Sequence, residues 1–140
     1  MRRARTVVAA LFAAAIGLIA AAPTAAASTI IPFQINPAPL GNPNGSFDAP
    51  AIRCGAEVGK QRGVVTITGT ERERWGCLIY ADVRWLNLST GATGTARMSN
   101  GLNGFPPEAQ LRTGSGQVVL TMLQGIQGNV TPGFATLSVP

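Results

Sequence analysis
The sequence predicts an all-β protein, an antiparallel β-sandwich of about seven short strands that is immunoglobulin-like in the loose sense. Three observations carry this. Apolar residues recur at every second position in several short segments, which is the period of a strand with one buried face. Of the 17 Gly and 10 Pro, all but Gly17 and Pro23 lie beyond residue 27, spread along the chain as turn-formers. Outside the first 27 residues no window has the 3.6-residue period of an amphipathic helix.

Residues 1–27 read as an export signal. Arg2, Arg3 and Arg5 form a positive start, Val7 to Ala22 is an uncharged apolar run, and Ala25 and Ala27 place small residues at the −3 and −1 positions before Ser28. The apolar run is shorter than the roughly 20 residues a membrane span needs. Cleavage after Ala27 leaves 113 residues, one domain's worth. The new N-terminus is Ser28 rather than a lipid-accepting Cys, and the chain closes on Ser138-Val139-Pro140 without an apolar tail. A secreted, extracellular product is expected, with no membrane span in the mature chain. Without the three leader arginines, 8 basic face 6 acidic residues, a net charge of +2. No Lys/Arg run or basic–aromatic interleaving is present, so nucleic acid is not an expected partner.

The mature chain divides into an N-terminal arm and loop, 28–50, and a sandwich domain, 51–140. Thr29 to Ile35 is a short apolar run containing Pro32, hence an edge strand or an extended arm. Asn36 to Pro50, rich in Pro, Gly and Asn, is a long loop. Ile52, Cys54, Ala56 and Val58 alternate with Arg53, Gly55 and Glu57 as a half-buried strand. Val64 to Thr70 is rich in β-branched residues, with Val65 and Ile67 facing inward. The central strand is Gly76 to Leu88. Its face of Cys77, Ile79, Ala81, Val83 and Trp85 belongs in the core, with Trp85 as the packing centre. Its other face carries Leu78, Tyr80, Asp82, Arg84 and Leu86.

Gly94 to Met98 follows, with Ala96 and Met98 opposite Thr95 and Arg97. Ser99 to Pro107 is a second long loop. Val118 to Leu123 is a strand apolar on both faces, and Phe134 to Val139 closes the chain with Ala135, Leu137 and Val139 in phase. The two cysteines, Cys54 and Cys77, are expected to pair with each other in an exported protein. The true immunoglobulin cysteine spacing is absent.

Val83-Arg84-Trp85-Leu86-Asn87-Leu88-Ser89-Thr90-Gly91, then Gly94, then Thr131-Pro132-Gly133-Phe134-Ala135, resembles small secreted actinobacterial β-sandwich proteins of unknown function over the back two-thirds of the mature chain. The resemblance implies a signal peptide and a sandwich, and it brings no activity and no functional residues.

Chemistry is mostly excluded. With no His, Ser-His-Asp and Cys-His machinery is absent. No cofactor and no metal are expected. Glu71 and Glu73, two apart on extended backbone, stand at a spacing a glycosidase pair tolerates. Alternation with Arg72 and Arg74 marks them instead as a solvated, ion-paired tip. Asp82 and Arg84 are expected to pair with charges on neighbouring strands such as Arg53 or Glu57. Asn44, Asn87 and Asn129 head weak glycosylation sequons. Two surfaces are candidates for binding. One is the loop carrying Phe105, Pro106 and Pro107. The other is the outer face with Leu78, Tyr80, Leu86 and Leu88, to be covered by the arm from Ile30 to Phe33 or by another protein. Three functional classes fit: a secreted non-enzymatic binding or envelope-associated module with an unknown protein or envelope partner, a small carboxylate-dependent hydrolase, and a carbohydrate- or small-ligand-binding sandwich.

Overall fold
The computed structural model describes residues 27–39, 41–47, 51–71, 76–101, 107–124 and 130–140. Ten strands and no helix occur among them: β1 (Thr29–Pro32), β2 (Ala38–Pro39), β3 (Cys54–Val58), β4 (Val64–Gly69), β5 (Ala81–Asn87), β6 (Thr93–Arg97), β7 (Ala109–Arg112), β8 (Gly116–Gln124), β9 (Val130–Thr131) and β10 (Gly133–Val139). One antiparallel sheet has the order β1-β3-β4-β7, a second has β10-β8-β5-β6, and β2 pairs with β9 in a small ribbon. The two four-stranded sheets form a β-sandwich around a single core.

The core follows the period-two pattern. Cys54, Ala56, Val65, Ile67 and Leu111 enter it from the first sheet; Ala81, Val83, Leu120, Met122, Ala135 and Leu137 enter from the second. Strand β8, apolar on both sides in sequence, turns Val118, Leu120 and Met122 inward. Val119, Thr121 and Leu123 lie half-buried outside. Burial of β3 goes further than alternation alone predicts, because all five of its residues are buried. It is an interior strand flanked by β1 and β4, and Ile30 of β1 lies over Gly55, where any side chain would collide with it.

Strand β7 has no counterpart among the strands expected from sequence. Ala109 and Leu111 are buried and alternate with exposed Gln110 and Arg112. The signal is two apolar residues in four, too short to stand out from a loop without its partner β4.

The central segment is shorter as a strand than its alternation suggests. Burial alternates from Cys77 through Val83, but the ladder begins only at Ala81. Residues 76–80 cross between the sheets. Arg53 donates its backbone N–H to the Gly76 carbonyl at 2.6 Å beside β3, and Ile79 N–H bonds the Cys77 carbonyl in a tight turn. A Cβ at position 76 would sit 2.8 Å from the Arg53 carbonyl, so the crossing admits only glycine there. From Ala81 the chain pairs with β8 on one side and β6 on the other. The Cys54–Cys77 disulfide, Cα–Cα 4.5 Å, ties the crossing to β3 deep in the core.

The N-terminal arm, set apart from the domain at residue 51 by sequence, is joined to the sandwich. β1 is an edge strand on β3, Phe33 is buried in the core, and Ile35 then bridges to Phe134 on β10. The arm therefore closes one side of the sandwich and does not lie over the outer face of β5.

Candidate functional site
Two expectations about side chains need correction. Trp85 points inward as its phase requires, yet it is only half-buried and packs at the margin of the core. It pairs across the ladder with Leu120 on one side and Gly94 on the other. Its indole lies over Gly94, where an added Cβ would meet the ring at 2.6 Å. Edge strand β6 places only small residues, Gly94 and Ala96, on that side, so the ring reaches towards the lateral opening between the sheets. Asp82 pairs across strands, though its partner is Arg97 on β6. Arg53 and Glu57 belong to the other sheet; Arg53 donates to the Pro43 and Ile52 carbonyls, and Glu57 meets Lys60 at 3.7 Å. Asn87 heads one of the weak sequons, and its side chain is fully buried, out of reach of glycosylation.

Asn87 is a clamp. Its Nδ2 donates to the Thr113 and Ser115 carbonyls at 2.9 and 3.0 Å, and its Oδ1 accepts from Ser89 and Thr90 N–H at 2.9 and 3.2 Å. Both donors and both acceptor positions of the amide are used. The clamp fastens the β5–β6 turn to the β7–β8 connection, where the chain passes between sheets.

On the opposite end of β5, Arg97 forms a two-pronged fork with Asp82: Nε to Oδ1 at 2.6 Å and Nη2 to Oδ2 at 3.1 Å. Nη1 donates to the Tyr80 hydroxyl at 3.3 Å, and the guanidinium carbon stands 5.4 Å from the Tyr80 ring centre. The fork hydrogen bond, reinforced by the positive charges of Arg97 and Arg84, holds the Asp82 carboxyl below the ordinary carboxylate range; the same bond raises Arg97. Held by this cluster, Tyr80 remains 54% exposed and Leu78 56% exposed. With Ile79, Ser99, Asn100 and Pro107 they line a shallow depression of about 280 Å³.

The depression joins parts of both surfaces expected from sequence. Leu78 and Tyr80 come from the outer face of the central segment; Pro107, itself fully buried, is the end of the second long loop. Phe105 and Pro106 lie outside the described residues, as do Glu73 and Trp75. Leu86 and Leu88 are also exposed, but Leu86 is roughly 20 Å along the chain from Tyr80 at strand rise. Asp82 and Arg84 separate the two apolar spots.

Glu71, the described member of the carboxylate pair, is exposed. Among the described residues no group of three Cys, Asp or Glu side chains is placed to hold a metal ion. No helix among them is long and apolar enough to cross a membrane. No protein-family description, curated protein or solved structure matches this chain.

Proposed function
We propose that the protein is a secreted, non-enzymatic binding module that engages a protein or envelope component through the face built on Leu78 and Tyr80. The single observation that carries this is an exposed aromatic whose position is held by neighbours. The Asp82–Arg97 fork and the Tyr80 hydroxyl contact hold the ring in place, which lowers the entropy lost when a partner packs on it. Tyr beside Leu and Pro is also the composition of an interface anchor. Export is supported by the leader pattern at residues 1–27 and by the disulfide, which oxidising compartments favour. The membership in small secreted actinobacterial sandwiches expected from the motif at Val83–Gly91 belongs to the same proposal.

The loose immunoglobulin likeness is part of the same proposal. The order β10-β8-β5-β6, which matches the G-F-C-C′ order of variable-type sheets, supports it. The β3–β4 hairpin within the other sheet departs from that topology.

A second reading, carbohydrate or small-ligand binding, draws on the same exposed Tyr80 flanked by Ser99 and Asn100. The hydrolase reading rests on Glu71 and Glu73, of which Glu71 alone is among the described residues and lies exposed just past the end of β4.

A photo-crosslinking amino acid at position 80, compared with one at exposed Thr90, tests the proposal in the producing cell. Adducts of macromolecular mass at 80 and not at 90 are expected. Equal labelling at both positions overturns it, and glycan binding lost in Tyr80→Ala without any adduct favours the second reading.

A further inference from the structure
We propose that edge strand β6 is a self-association edge, pairing with β6 of a second copy of this chain about a two-fold axis at Thr95. The backbone bonds Asn87 N–H to Ala92 O and Met98 N–H to Ala81 O fix the phase of the β5–β6 ladder. Residues 94 and 96 therefore direct their N–H and C=O groups at β5, and Thr93, Thr95 and Arg97 direct theirs away from it. Among the described residues those outward groups have no hydrogen-bond partner, and the three side chains are exposed.

Other edges of the sandwich are blunted. On β10, Phe134 exchanges backbone bonds with Ile35, and the Gln34 side-chain amide stands in for a peptide against Thr136: its Oε1 accepts from Thr136 N–H at 2.7 Å and its Nε2 donates to Thr136 O at 3.4 Å. On β1, the phase set by Phe33 N–H to Cys54 O turns Pro32 outward, where it has no N–H to offer. β7 is only four residues long. Natural edges are guarded in these ways or by charged side chains. β6 has no proline, and no strand pairs with its outer side among the described residues. It reads Thr-Gly-Thr-Ala-Arg, and Asp82 of the same face already neutralises its one charge.

The second copy is the occupant because the strand complements itself. An antiparallel pair centred on Thr95 sets Thr95 against Thr95, Gly94 against Ala96, and Arg97 against Thr93. No like charges stand opposite, and small residues meet small residues beside the Trp85 ring. The outward groups then form about six backbone bonds, and the two outer sheets become one continuous sheet. A five-residue edge buries much less than the ~1,200 Å² of a stable complex, so the dissociation constant falls on the order of 100 µM.

Residue-resolved amide exchange of the mature chain from micromolar to millimolar concentration tests this. Exchange at Thr93, Thr95 and Arg97 should slow several-fold as concentration rises, while amides of exposed turn residues such as Arg62 stay constant. Thr95→Lys places two ammonium groups across the axis and should remove the concentration dependence without changing the melting temperature of dilute protein. No concentration dependence up to millimolar, or protection confined to residues 78–80 and 100, overturns the proposal.

Discussion
At the scale of the residue, Asn87, Trp85 and Asp82 each do something their type does not announce. Asn87→Ala strips four hydrogen bonds from a buried side chain, of which the bond to Thr113 is buried and the other three are part-buried. A loss of about 3 kcal/mol in denaturant unfolding is expected, at the scale of an orphaned buried group rather than an ordinary bond. Trp85→Ala should cost about 2 kcal/mol, below the 3–5 kcal/mol typical of an enclosed aromatic, because the ring is half-exposed over Gly94. Asp82 governs an acid response. Its folded pKa lies below its unfolded value, so the fork with Arg97 contributes above about pH 4 and is lost as pH falls through the folded pKa. The melting-temperature difference between the parent and Asp82→Asn should therefore be present at pH 6 and shrink towards zero at pH 2.

At the scale of the element, edges and crossings decide more than propensity does. β10 is protected by an arm that was legible only as a Pro-containing apolar run, and the Gln34 amide completes the protection. Gln34→Ala should speed amide exchange at Thr136 and cost about 1 kcal/mol or less, since the lost bonds are solvent-exposed. The segment 76–80 keeps strand alternation without strand pairing because it passes between layers. Alternating burial needs only extended backbone between two environments; a ladder needs a neighbour, and that neighbour appears only at Ala81.

At the scale of the whole molecule, the Cys54–Cys77 bridge fastens the passage from one sheet to the other. Closing a loop of 23 residues stabilises by about 3 kcal/mol through loss of unfolded-state entropy. Cys54→Ser with Cys77→Ser should lower stability by at least that amount, because two hydroxyls then replace the disulfide sulfurs in the core; chemical unfolding beside the parent measures it. Of the exposed apolar residues, Leu78 and Tyr80 precede β5 in the crossing and Leu86 and Leu88 lie at its far end, while Ile35 and Phe47 are exposed in the N-terminal segment.

The sequence by itself determined the sandwich class, the inward phases of β3, β4, β5, β6 and β10, and the cysteine pairing. Each depends on a period of two or on a count of thiols, and both are local properties of the chain. It also located Leu78, Tyr80 and Pro107 as surface candidates, on two separate segments. Only the tertiary structure brought them to one depression, because that meeting depends on which strand follows which across the sandwich. The Arg97 partner of Asp82, the burial of Asn87 and the destination of the N-terminal arm were decided there too. A polar side chain reads the same in sequence whether it faces water or four backbone groups; its hydrogen-bond partners, 26 and 28 residues away for the Asn87 amide, exist only after the chain has folded back on itself.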